Sequence, residues 1–195
     1  SQSLAIRDTF ATVNETVGTG TLTFTFGTTG YTTHANDSTQ DTYDSFVAQA
    51  GVSSKAVTID SSSNTLSGVR DAINNADIGV TAAIVKTGSA YRLLVSSDAS
   101  GLSNGMQITV SDSGDSNNTD GNGLSRLAFN ASAGTANVYQ TIPAADAAFT
   151  VNGLALSSAS NTVANVIDGL TLTLKDVTTT TATLSVTDNT SGIKT

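Results

Sequence analysis

Few side chains in this sequence could carry chemistry, and none of them is spaced to do so. Gly114-Asp115-Ser116 has the look of a nucleophilic serine, but it lacks the strand–turn–helix setting that exposes one. His34 is the single histidine and the only candidate base for that serine; in its polar loop it reads as a surface residue. Asp112, Asp115, Asn117, Asp120 and Asn122 carry oxygens of the kind calcium takes. No frame among them offers ligands at alternate positions, a central glycine and a closing acid, so the expected reading is a solvated loop. Asp37, Asp41 and Asp44 read as acidic surface. Glu15 is the only glutamate, and paired-carboxylate catalysis would need two aspartates that the sequence does not place together. Gly18-Thr19-Gly20 precedes a strand instead of following one, the wrong order for a phosphate cradle. The absence of cysteine excludes disulfides, thiolate metal sites and a cysteine nucleophile, and one histidine excludes sites built on two imidazoles. The expectation is a protein that is not an enzyme, with no catalytic, cofactor-binding or metal-ligating residues and no cofactor.

The elements that position these residues follow from composition and pattern. The 195 residues suffice for one large domain or two small ones. Charged residues are only 12%, and 33 threonines, 25 serines, 17 glycines and 15 asparagines fill the gap, which favours strands and turns over long solvated helices. Eight basic against 16 acidic residues leave a net charge of −8, which repels phosphate backbones and rules out a polybasic membrane dock. Neither nucleic acid nor membrane is an expected partner. No apolar run approaches the roughly 20 residues of a transmembrane helix. The chain lacks a signal-peptide layout and begins abruptly, as an internal fragment would.

Leu22-Thr-Phe-Thr-Phe26 alternates strictly and predicts a half-buried strand, with Ala56–Asp60 as its partner. Residues 27–54 read as a long polar loop with one helical turn near Tyr43–Ala50. Leu66, Val69, Ile73 and Ala76 form the stripe of a helix capped by Ser63, Asn64 or Thr65. Strands follow at Val80–Lys86 and Tyr91–Ser96, joined by a Thr87-Gly-Ser turn, and at Met106–Val110. Residues 111–123 contain no apolar side chain; Leu124–Phe129 reads as either a short helical turn or a strand. Asn152-Gly153 predicts a type I′ hairpin turn within Phe149–Leu156. A short capped helix over Asn161–Asp168 and strands at Leu170–Leu174 and Ala182–Thr187 complete the pattern.

Ser63-Asn-Thr-Leu-Ser-Gly-Val-Arg-Asp71 aligns with Ser160-Asn-Thr-Val-Ala-Asn-Val-Ile-Asp168 at a constant offset of 97 residues. Capped helices share such residues by chance, but the strand–strand–helix–strand order recurs as well. The expected fold class is therefore α+β, predominantly β: two related units of antiparallel strands, each with one short covering helix.

Three runs carry a resemblance to a known family. Gln2-Ser-Leu-Ala5, Phe10 and Val17-Gly-Thr-Gly-Thr-Leu-Thr-Phe-Thr-Phe-Gly27 resemble the flagellar filament cap protein, hook-associated protein 2. Asn64-Thr-Leu-Ser-Gly-Val-Arg-Asp-Ala-Ile-Asn74, with Gly79-Val-Thr-Ala82 and Tyr91-Arg-Leu-Leu-Val95, is similar to the Ile-Asn motif of flagellar hook and filament proteins. Asp146-Ala-Ala-Phe-Thr-Val-Asn-Gly153, then Ser160, Asn161, Thr162 and Val166-Ile-Asp-Gly-Leu-Thr-Leu172, is the third run. Residues 27–54 and 111–140 match poorly, as variable outer loops would. The family's terminal coiled-coil segments do not appear, so the chain resembles the head region alone.

The resemblance implies a secreted structural protein at the filament tip that promotes flagellin folding and insertion. Its implied partners are further copies of itself, flagellin and host surface glycans. It divides the chain into an N-terminal connector (1–13), a first head unit (14–140; helix near 65–76, long loops 27–54 and 111–123) and a second head unit (141–195; hairpin, short helix near 162–168, strands), with a nested arrangement as the alternative. A chain without disulfides and with one proline suits unfolded export and prompt refolding. The competing readings are an extracellular adhesin-type binding module, which would need exposed aromatics, and the outer domain of another hook or filament protein.

Overall fold

The computed structural model describes residues 1–32, 42–131, 134–178 and 180–183. The alternating threonine and apolar run becomes β2 (Gly20–Thr32), which buries Leu22 and Phe24 and turns its threonines away. On one edge β2 pairs with β4 (Lys55–Ile59) and on the other with β7 (Gly105–Asp112), both antiparallel. Beyond Gly27 the same strand pairs with β3 (Thr42–Ala48), Tyr31 opposite Tyr43 and Thr29 opposite Phe46. The expected loop with a helical turn near Tyr43–Ala50 is thus corrected: both arms are strands. Their β-branched and aromatic side chains are strand formers, and the Tyr43 ring stacks on Phe129 with centroids 4.0 Å apart. Two short strands, β8 (Phe129–Asn130) and β9 (Thr135–Ala136), extend this sheet beyond β7.

A second sheet has the order β10-β1-β6-β5, built from β1 (Ser3–Ile6), β5 (Val80–Thr87), β6 (Ala90–Ser97) and β10 (Val138–Ile142). Residues 1–13, expected as a connector, contain β1. All four residues of β1 are buried, because it lies between two strands and presents Leu4 and Ile6 to the core. The helix α1 (Leu66–Asn75) forms as its stripe demands, with Leu66, Val69 and Ile73 fully buried; Ala76, at its end, is exposed. Its first N–H groups are all answered: Leu66 N donates to Glu15 O, Ser67 N to Val13 O, and Gly68 N to Thr65 Oγ1.

One apolar cluster joins Leu4, Ile6, Leu93 and Val95 of the second sheet, Leu22, Phe24, Met106 and Ile108 of the first, and the buried face of α1. Each such side chain contributes about 1.5–3 kcal/mol by leaving water. A buried amide crosses this cluster. Gln2 Nε2 donates to Gln140 Oε1 (2.8 Å) and Tyr31 Oη (3.3 Å), its Oε1 accepts from Met106 N (2.6 Å), and its backbone bonds Ser97. Both sheets are therefore tied to one side chain.

The segment Leu124–Phe129 is in part each of its two expected forms: a 3-10 turn over Gly123–Leu127, then the start of β8. Asn152 and Gly153 adopt the positive φ values (50° and 84°) of a type I′ turn between β11 (Ala147–Val151) and β12 (Leu154–Ser158). The expected helix over Asn161–Asp168 does not form. Thr162–Ala164 is a strand, β13, paired antiparallel with β14 (Thr171–Thr173), so that Val163 faces Leu172. Asn165 sits at φ 59°, outside the helical region, and its N–H bonds Leu170 O. Pairing outcompeted the helical stripe because the β-branched Thr162 and Val163 suit a strand.

The class is predominantly β with antiparallel sheets, and α1 is the only α-helix among the described residues. Packing divides the chain into Ser1–Asn161 and Thr162–Thr195. The last expected strand, Ala182–Thr187, lies outside the described residues apart from its first two positions. Among the described residues no helix is long and apolar enough to cross a membrane.

Candidate functional site

The acidic loop after β7 is held by its own side chains. Asp112 is buried; one carboxylate oxygen accepts from Gly114 N (2.7 Å) and the other from Ser125 N (3.0 Å), while Asn118 Oδ1 receives Asp112 N. Asp115 accepts from Asn117 N (2.9 Å) and Asp120 from Asn122 N (3.2 Å), each side chain closing a turn two residues on. Ser125 Oγ donates to Asp120 Oδ1 at 2.6 Å. The hydrogen bonds from Ser125 and Asn122 hold the Asp120 carboxyl below the usual carboxylate range. These oxygens are occupied by the chain's own donors, and among the described residues no three acidic, histidine or cysteine side chains cluster as a metal would require. Ser116 stands exposed at φ 63°.

The remaining sequence candidates are dispersed. Gly18 and Gly20 lie where β7 and the turn after it press on the chain: a Cβ at Gly18 would strike Leu124 N, and one at Gly20 would strike Ser111 O. The pair permits close packing of backbone on backbone. Glu15 accepts from Ala11 N at 2.7 Å and so shapes the segment that caps α1. Asp44 accepts from Thr32 Oγ1 across the β2–β3 pair, and this hydrogen bond leads those that lower its pKa. His34, Asp37 and Asp41 lie outside the described residues.

The Ile-Asn pair acquires a physical role. Ile73 is fully buried, and Asn74 reaches from α1 to β5, donating Nδ2–H to Ala82 O (3.0 Å) and accepting from Ala82 N (2.7 Å). Because β5 is the edge of its sheet, the Asn74 amide satisfies backbone groups there as a neighbouring strand would. Spacing alone could not disclose this bond, since it depends on where the helix lies against the strand.

A cleft opens where β1 ends, lined by Arg7, Asp8, Gly121, Arg126 and Asn137, with a volume of about 130 Å³. Arg126 lies over the Phe10 ring at 5.7 Å and has its Nε 3.4 Å from Asp8 Oδ2. Arg7 donates Nε–H to Ala136 O (2.8 Å) and lies over Tyr139, and Asn137 Nδ2 donates to Ser125 O (2.8 Å). Sequence reasoning missed this convergence because Arg7 and Asp8 lie more than a hundred positions from Gly121, Arg126 and Asn137.

Taken together, these features define a β-rich structural module whose polar residues order its own loops and edges. The C-terminal model of flagellar hook-associated protein 2 matches residues 144–195. The B-type flagellar hook-associated protein 2 of Pseudomonas aeruginosa is 45% identical over 131 residues, 63% of this chain and 27% of that protein. Flagellar hook-associated protein 2 of Salmonella typhimurium is 33% identical over 96% of this chain and 35% of its own length. The chain therefore spans about a quarter to a third of these relatives. The crystal structure of the D2-D3 domains of the flagellar cap protein FliD from Escherichia coli superposes with a TM-score of 0.68 at 30% identity, covering 92% of this chain and 78% of that one. This chain belongs to the flagellar hook-associated protein 2 (FliD) family.

Proposed function

We propose that the chain is the head region of a flagellar filament cap, working outside the cell at the tip of the growing filament. There, copies of the longer protein associate, and flagellin folds and inserts beneath them. The observation that carries this reading is the 30% identity to the D2-D3 domains of a flagellar cap protein across 92% of the chain. The role is one of assembly, not catalysis, and we assign no residue to a catalytic, cofactor or metal site. Secretion through a narrow channel suits a chain without cysteine and with a single proline.

Further copies and flagellin are the proposed partners. Host glycans have weaker support, because all ten aromatic side chains are buried or half-buried and offer no open platform for a sugar ring. We place the boundary between head units close to residue 140, at the end of β10: the Ser3–Ile142 pair closes this sheet there, and the family model begins at residue 144.

The test replaces the corresponding head of the Escherichia coli relative with this chain, in cells lacking the native protein. Filament length and flagellin lost to the medium are then measured. Long filaments with little lost flagellin are expected. A chimera that is exported and stable yet leaves cells without filaments would overturn the reading.

A further inference from the structure

We infer that the cleft between Arg7, Asp8, Gly121, Arg126 and Asn137 is a carboxylate-binding site shaped for an acidic side chain of a protein partner. The inference stands on the geometry of the first unit and does not depend on the flagellar reading.

Arg126 is its centre. The guanidinium lies over the Phe10 ring, 5.7 Å from its centroid, within the range of a cation–π attraction. Its Nε is buried without a hydrogen-bond partner; Asp8 Oδ2, at 3.4 Å, is close enough for attraction but does not make that bond. Among the described residues nothing else accepts a hydrogen bond from this side chain. With Nε buried beside Asp8, the terminal Nη groups are the donors left without a hydrogen-bond partner among the described residues, and a carboxylate, whose two oxygens can take two N–H groups, matches them.

The walls are already committed. Arg7 is bonded to Ala136 O, and Asn137 to the carbonyl of Ser125, so neither must reorganise when a ligand arrives. At Gly121 no atom lies within 4 Å of where a Cβ would stand, which leaves the mouth open. A cleft of about 130 Å³ has room for a carboxylate on a short stem. On a chain of net charge −8, the lining of this cleft carries two arginines against one aspartate, although Asp120 beside Gly121 also acts on Arg126. Asp8 competes for the same guanidinium and sets the affinity low enough for a reversible contact.

The test is a titration of ¹⁵N-labelled protein followed at the arginine Nε–H resonances. Sodium acetate, exchanged for chloride at constant ionic strength, should move the Arg126 signal along a saturating curve while Arg70, half-buried and paired with Asp71, stays still. Arg126→Lys keeps the charge but loses the fork and should weaken binding by about tenfold, whereas Asp8→Asn should tighten it several-fold. A short peptide bearing one glutamate among neutral residues should bind more tightly than acetate. Equal affinity for the two would assign the cleft to a free small carboxylate and overturn the protein partner. Shifts that fail to saturate, or a saturating response unchanged in both variants, would overturn the site itself.

Discussion

At the scale of single residues, polar side chains in this protein substitute for backbone partners. Asn74 gives β5 the donor and acceptor that another strand would supply. Asn74→Ala should therefore cost roughly 1–3 kcal/mol in urea unfolding, the penalty of stranding paired backbone groups. Tyr43 is the opposite case: its ring is buried against Phe129, but its hydroxyl has no partner. Tyr43→Phe should leave stability at pH 7 unchanged or raise it by up to about 1 kcal/mol. Burial also pushes the Tyr43 phenol well above its ordinary range. A raised folded pKa means that the native protein holds this proton more tightly than the unfolded chain. That stability is present below about pH 10 and is lost as pH rises further. Unfolding midpoints at neutral and alkaline pH should show the loss in the parent and less of it in Tyr43→Phe.

At the scale of elements, α1 and the acidic loop make separable predictions. Val69 lies in the one cluster shared by both sheets, so Val69→Asp should cost about 3–5 kcal/mol and melt β2 and β6 together. Val166 is half-buried and not helical, and aspartate there should cost under about 1 kcal/mol. Residue-resolved hydrogen exchange separates the two outcomes. In the loop, Asp112 and Asp120 already accept from the chain's own donors. Millimolar calcium is expected to leave the melting temperature unchanged, whereas a specific site at 100 times its dissociation constant would add about 2.7 kcal/mol. Acid should act on this loop instead. The depressed Asp120 pKa gives stability that is present above the ordinary carboxylate range and lost as pH falls through it, a loss that Asp120→Asn should reduce.

At the scale of the whole molecule, charge and surface govern association. With a net charge of −8 and its large apolar side chains mostly in one core, the chain should be monomeric at micromolar concentration. Light scattering at low ionic strength checks this, and a tight oligomer would place the determinants of cap assembly within the head. Raising salt to about 0.5 M shortens the range of self-repulsion to a few ångströms, so any weak head-to-head contact should strengthen there.

What the sequence determined by itself was local. Strict alternation over Leu22–Phe26 and a stripe at Leu66, Val69 and Ile73 each demand one backbone geometry, and Asn152-Gly153 demands one turn. The tertiary structure decided where locally plausible choices compete. Asn161–Asp168 has the caps and stripe of a helix, yet Thr162–Ala164 pairs with Thr171–Thr173, whereas residues 13–15 close the donors of α1. Residues 27–32 and 42–48 read as loop because their strand character appears only once the two arms pair and Tyr43 meets Phe129. The cleft around Arg126 and the span of Gln2 across two sheets join residues more than a hundred positions apart. Periodicity cannot register such contacts, because their energy belongs to neighbours that only the fold brings together.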